Sequence, residues 1–211
     1  MSADPAPRGR LPAAARADRR DAILDAAEAL LAEAGYAQTT MAEIARRAGA
    51  SKGTLNGWFG GREGLLAAVM ERNADRAAIR VTKALEAGGP PRTVLTGFAE
   101  GLLGLLTGPS SVALNRAAMG TPELAALLLA SGRHRIGPLV EGYLARLAGD
   151  GVLALDDAGE AFTMLYGLVI RDTQIRVLLG EPQLGPAARK RQAATAVEAF
   201  LTLYRSKTTA R

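Results

Sequence analysis

The sequence predicts an all-α protein on three grounds. Alanine and leucine dominate and β-branched residues are sparse, which favours helix over strand. Almost every long stretch repeats its apolar residues at the 3.6-residue spacing of a helix face. No segment alternates apolar and polar residues for long enough to make a strand.

The first helix is expected from about Asp18 to Ala34, with Ile23, Ala27, Leu30, Leu31 and Ala34 on one face and Gly35 as its left-handed stop. Thr40 and Glu43 have the spacing of a capping box, hydroxyl to backbone amide and carboxylate back to the cap, and open a short helix from Met41 to Ala48. Gly49 supplies a tight turn, and Ser51 caps a second short helix that runs to about Phe59. After the Gly60-Gly61 break, a longer helix from about Arg62 to Ala87 ends at Gly88-Gly89-Pro90-Pro91, the sharpest boundary in the chain. Further helices are expected at about 92–106, 110–118, 122–148, 157–179 and 186–205, with Pro138 kinking or dividing the third of these. Residues 1–17 read as a flexible basic arm and 206–211 as a frayed tail.

At 211 residues the chain has the length of one or two domains with a real core. Hydrophobic residues make up 48% and charged residues 22%, which places it with ordered globular proteins. The 26 Lys and Arg outnumber the 21 Asp and Glu, a balance that permits a polyanionic partner without demanding one. The absence of cysteine excludes disulfides, thiolate metal sites and cysteine redox sensing, and His134 as the single histidine argues against a zinc enzyme. No metal site and no cofactor are therefore expected. Aromatics at 4% disfavour a base-stacking single-strand binder. No apolar run reaches the ~18 residues of a membrane helix, and the N-terminus lacks the apolar core of a secretory signal. A cytoplasmic protein with no membrane partner is expected. Nor is an enzyme: there is no Gly-x-Ser-x-Gly elbow, no Gly-x-x-x-x-Gly-Lys-Ser/Thr loop and no Gly-x-Gly-x-x-Gly motif opening a βαβ unit. Adjacent Asp156 and Asp157 suit a helix N-cap better than acid–base chemistry.

Thr39 to Phe59 reads as two short helices about a glycine-containing turn, the helix-turn-helix pattern whose second helix enters the DNA major groove. Counting about 100° per residue, Leu55, Trp58 and Phe59 share one arc of that helix, and Gly53, Asn56 and Gly57 the facing arc. Two glycines on an exposed face cost about 1 kcal/mol each relative to alanine and let a helix backbone approach a groove closely. The alternative is an ordinary helical hairpin whose glycines serve packing. Local charge does not separate the two, since residues 1–65 carry nine Lys/Arg and eight Asp/Glu. Position matters more, because five of the nine precede or open the first helix, where they can reach phosphates.

From Ile23 to Met70 the chain resembles the N-terminal DNA-binding domain of the TetR/AcrR family of bacterial transcriptional regulators. The likeness rests on Ala34-Gly35-Tyr36 before the Thr39-Thr40 cap and on Ile44-Ala45-x-x-Ala48-Gly49-x-Ser51-Lys52-Gly53-Thr54-Leu55. It extends to Phe59 and to the Arg62-Glu63 pair followed by Leu65-Leu66. It implies a three-helix helix-turn-helix domain over 18–65 that binds double-stranded DNA at a quasi-palindromic operator. Position by position, it implies that Thr40 caps the second helix and touches a phosphate, and that Ser51, Lys52, Gly53 and Thr54 lie at the groove and backbone. Asn56, Gly57 and Trp58 stand where the family usually has Tyr-x-Tyr or Tyr-x-His reaching phosphates and bases, and Arg62 where a phosphate-contacting Lys is usual. Asn56 loses a phenolic contact but offers an amide able to pair with adenine N6 and N7. Gly57 leaves any readout to backbone or shape. Trp58 either turns its indole N–H to a phosphate or packs on Leu55.

From about residue 92 the chain resembles, more weakly, the family's ligand-binding and dimerisation region, and Leu165–Pro182 is similar to the AefR-like kind. This implies a C-terminal helical effector-binding and dimerisation domain over 92–205, joined through a connecting helix and linker at 66–91. Its last two long helices would form a four-helix bundle with those of a second copy. Phe162, Leu165, Leu168, Val169, Ile175, Leu178 and Leu179, with Val197, Phe200, Leu201 and Tyr204, would supply the apolar surface of that homodimer or fill the chain's own core. The resemblance also implies a small-molecule effector held between 92 and 179. Candidate lining residues are Phe98, Leu102, Met119, Arg133, His134, Tyr143, Tyr166 and Gln174, although the aromatics and Met119 serve equally as core and His134 as a solvated residue. The implied function is a DNA-binding transcriptional regulator, a repressor whose operator affinity a small molecule modulates. An activator of the same fold and a helical interaction module with impaired operator reading are the alternatives.

Overall fold

The computed structural model describes Pro12–Ser206; most of the expected arm and tail lie outside the described residues. The helices are α1 (Ala13–Gln38), α2 (Met41–Arg47), α3 (Lys52–Phe59), α4 (Arg62–Glu86), α5 (Pro91–Leu106), α6 (Pro109–Ala118), α7 (Pro122–Ser131), α8 (Arg133–Gly149), α9 (Ala158–Ile170), α10 (Thr173–Leu178) and α11 (Pro186–Leu203). No strand occurs among the described residues. The chain divides within α4 into two compact units, Met1–Ala68 and Val69–Arg211.

In the first unit, α1 begins at Ala13 rather than near Asp18. Ala13-Ala14-Ala15-Arg16-Ala17 consists of strong helix formers, so the helix reaches back to Pro12. Gly35, at φ 76°, interrupts α1 before one last turn. Thr40 caps α2 by accepting from the Glu43 N–H at 3.2 Å, and Ser51 caps α3 by accepting from the Thr54 N–H at 3.0 Å. Only the hydroxyl half of the expected capping box forms. The Glu43 carboxylate instead accepts from Arg46, at 2.9 Å from its Nε, because a charged guanidinium is the stronger donor. Ile23, Leu24, Leu31, Ile44, Leu55, Leu65 and Leu66 are fully buried.

The second unit has a core built from the remainder of α4 with α5, α8, α9 and α11, centred on Leu95, Leu103, Val140, Leu144, Leu165, Val197 and Phe200. α11 lies along α5 and α9, while α6 packs on α7 and α10. Pro91, Pro109, Pro122 and Pro186 open their helices, where a missing N–H costs nothing. The expected helix 122–148 divides at Gly132, not at Pro138, which stays inside α8. A Cβ at Gly132 would lie 2.9 Å from the Leu128 carbonyl, an approach only glycine tolerates.

The expected helix 157–179 divides at Arg171, a non-glycine residue at φ 49°. Gln192 of α11 holds that break open, donating from Nε2 to the Val169 carbonyl and to Thr173 Oγ1, both at 2.8 Å. From α6, Arg116 donates to the Leu178 carbonyl at 2.9 Å and the Val177 carbonyl at 3.1 Å, satisfying the end of α10. A residue other than glycine at positive φ and outside the αL well costs about 1 to 3 kcal/mol. Arg171→Gly is therefore expected to raise stability by at least about 1 kcal/mol in urea unfolding. A loss of stability would show that the arginine side chain contributes more than its backbone costs.

Candidate nucleic-acid interface

α3 turns one face inward through Leu55, which is fully buried. Lys52, Gly53, Asn56 and Gly57 lie together on the exposed face, and Ser51 at the cap is exposed as well. Thr54 is half-buried, its hydroxyl 2.8 Å from Ser51 Oγ. A Cβ at Gly57 would meet nothing within 4 Å, so no packing within the protein requires that glycine. The outer face of α3 thus offers one amide, one ammonium and bare backbone. A groove read by this face meets the helix backbone at close range.

Trp58 and Phe59 are half-buried, neither sunk into the core nor fully open. Arginines of α1 cover both rings, Arg16 at 5.5 Å from the Trp58 centroid and Arg20 at 5.5 Å from Phe59. Arg19 donates to the Gly49 carbonyl at 2.5 Å, tying α1 to the turn between α2 and α3. Reading the sequence placed these arginines only broadly near phosphates. Their grouping one turn apart on a single helix is the signal that marks them as partners of α3.

Arg62, expected at a phosphate, is bonded within the unit as well. Its Nε donates to the Thr39 carbonyl at 2.9 Å, its Nη2 donates to the Tyr36 carbonyl, and the guanidinium lies 3.9 Å over the Tyr36 ring. The residue ties the start of α4 to the corner where α1 breaks, sharing the Tyr36 carbonyl with the Thr39 N–H, which donates to it at 3.2 Å, and two of its five donors are committed there. Thr39 supports the same corner, fully buried and donating from Oγ1 to the Gly35 carbonyl at 2.8 Å.

The basic residues of α2 are paired within the unit. Arg47 grips the Glu33 carboxylate of α1 at 2.6 and 2.7 Å, and Arg46 grips Glu43. These hydrogen bonds hold the Glu33 and Glu43 carboxyls below the usual carboxylate range. A depressed folded-state pKa stabilises above the unfolded value and is lost as pH falls through the folded one. Both pairs therefore persist through neutral pH and open only in acid.

In the second unit the residues expected to face a second copy are largely claimed by the core. Phe162, Leu165, Val169, Val197 and Phe200 are buried there, and Leu201 packs against it. Leu178 is half-buried, while Ile175 and Leu179 are exposed. The outward side of α9 instead carries Thr163, Met164 and Gly167. A cavity of about 700 Å³ runs beside it, lined by Met164, Gly167, Leu168 and Tyr204, with Glu160 and Arg171. Hydrophobicity alone does not mark that outward side, because the inner face is the more apolar of the two. None of the expected effector-lining residues lines that cavity. Phe98 and Tyr143 belong to the core, Leu102 and Tyr166 pack on it, Gln174 is half-buried, and Met119 and His134 are exposed. The Arg133 side chain lies outside the described residues.

The family model described as bacterial regulatory proteins, tetR family, matches residues 23–69. A second, described as the C-terminal domain of AefR-like transcriptional repressors, matches 93–206. The transcriptional regulator AlkX of Mycobacterium tuberculosis is 30% identical over 191 residues, which span 89% of this chain and 86% of that protein. The crystal structure of a TetR transcriptional regulator from Agrobacterium tumefaciens is 37% identical and covers 90% of this chain and 95% of its own, with a TM-score of 0.73. The flavonoid-responsive regulator FrrA is 27% identical, covers 91% of this chain and all of its own, and has a TM-score of 0.67.

Proposed function

The chain belongs to the TetR family of bacterial regulatory proteins, and from that premise we propose that it is a repressor acting as a homodimer on a quasi-palindromic operator. A small molecule held in the unit Val69–Arg211 sets its operator affinity, and the protein works in the cytoplasm. One observation carries the DNA-binding part: α3 presents Lys52, Gly53, Asn56 and Gly57 together outward over the buried Leu55. In this reading Asn56 reads adenine through its amide, Lys52 meets phosphate, and the glycines let α3 seat deeply. Thr40, Ser51 and Thr54 add hydroxyl contacts at the backbone.

Two copies related by a two-fold axis place two α3 helices in successive major grooves. The outward side of α9 with Tyr204 is the surface offered to the second copy. Repression is supported by the AefR-like repressor match, and ligand response by the name of FrrA. An effector acts only by binding the DNA-competent and DNA-incompetent states unequally. The chain passes from one unit to the other inside α4, and in this reading that helix carries the coupling between effector and DNA.

Fluorescence anisotropy on a labelled duplex from upstream of the protein's own gene tests this reading, at two salt concentrations and against a scrambled competitor. Wild-type binding should survive the competitor, and Asn56→Ala should lose about tenfold of its sequence preference. Binding that never exceeds that to the scrambled duplex, there and in a genome-wide selection, overturns the proposal. Gly57→Ala should move two readouts in opposite directions. Stability should rise by about 1 kcal/mol from helix propensity, while affinity for the operator falls because a methyl group now stands between α3 and the groove.

A further inference from the structure

Trp58 stands at a position of α3 where the sequence leaves two roles open, and its surroundings favour one. The ring is half-buried, the Arg16 guanidinium lies over it at 5.5 Å, and no group among the described residues accepts a hydrogen bond from its indole N–H. A buried core tryptophan normally finds a partner for that donor. Neighbouring arginines fix this stretch of α1: Arg19 anchors the same turn to the Gly49 carbonyl and Arg20 covers Phe59 one turn further on. A guanidinium within cation–π reach of an indole face restrains the ring and places positive charge near it.

We propose that Arg16 is a positioning residue for DNA, holding the Trp58 ring by stacking so that the indole N–H donates to a backbone phosphate of the operator. The guanidinium edge faces the same phosphate strand and supplies the ionic part of that contact. This deepens the DNA-binding reading above and rests on it.

Trp58 is the one tryptophan of the chain, so its emission reports on the stack directly. In the absence of DNA, Arg16→Ala should shift that emission; an unchanged spectrum overturns the proposal. On the labelled upstream duplex and on a mixed-sequence duplex, Trp58→Phe keeps the ring and removes the donor, and should weaken binding about fivefold. Arg16→Ala should weaken it at least as much and lower the salt slope by about one unit per protomer. The double variant should be no weaker than Arg16→Ala within about twofold, since the donor is useful only when oriented. Arg16→Lys keeps the charge and should restore the salt slope without restoring the affinity. Additive single effects, or full rescue by lysine, overturn the positioning role while leaving the regulator reading intact. A wild-type protein that binds neither duplex overturns both.

Discussion

Alanine in place of Gly64 is expected to destabilise the unit Met1–Ala68 by about 3 kcal/mol, the upper range for forcing atoms into filled space. A Cβ at that position would run into the Phe59 carbonyl oxygen, which belongs to the last residue of α3. A backbone oxygen cannot swing away as the tip of a side chain can, so α3 or the start of α4 must move. Urea unfolding followed by Trp58 emission reads this unit, and circular dichroism of the full chain reads the rest. The midpoint seen by Trp58 should fall, with operator affinity falling in step because α3 is no longer held. An unchanged midpoint would mean that the junction relaxes without cost.

Removing the Arg62 side chain should cost a similar amount. Arg62→Ala abolishes two charge-assisted hydrogen bonds to the Thr39 and Tyr36 carbonyls together with the stack on Tyr36. Donors of this kind contribute roughly 1.5 kcal/mol or more each and a partly exposed stack somewhat less than 1 kcal/mol, so a loss of about 3 kcal/mol is expected. Arg62→Lys should recover less than half of it, because an ammonium has no planar fork to reach both carbonyls while lying on the ring. The same Trp58-monitored unfolding decides the matter. A variant that keeps its stability yet loses affinity for DNA would return Arg62 to the phosphate-contacting role its sequence position implies.

These two positions show where the sequence stops being readable. The caps of α2 and α3 were legible because Thr40 and Ser51 bond to amides three residues away, within the reach of local pattern. The inward Leu55 and the outward Asn56 and Gly57 followed from helix periodicity alone. Arg62 sits in a position where family likeness suggests a phosphate contact, and its actual partners lie 23 and 26 residues earlier. The break at Arg171 carries no glycine or proline to announce it, since what stabilises it is Gln192 on a later helix. That Thr163, Met164 and Gly167 make the outward face of α9 was not legible for a related reason. Two faces of one helix compete for burial, and the choice between them is made by α8 and α11, not by α9 itself.

The pairing of Arg47 with Glu33 and of Arg46 with Glu43 bears on how the protein finds its site. Cations neutralised in place add little to the long-range field that draws a protein onto any stretch of duplex. Non-specific binding is almost wholly electrostatic, so a domain with such internal pairing rests less tightly on bulk chromosomal DNA. Fewer molecules are then sequestered away from the operator at a given copy number. The cost falls on the approach, which gains less from electrostatic acceleration. A regulator built this way favours discrimination at the site over speed in reaching it.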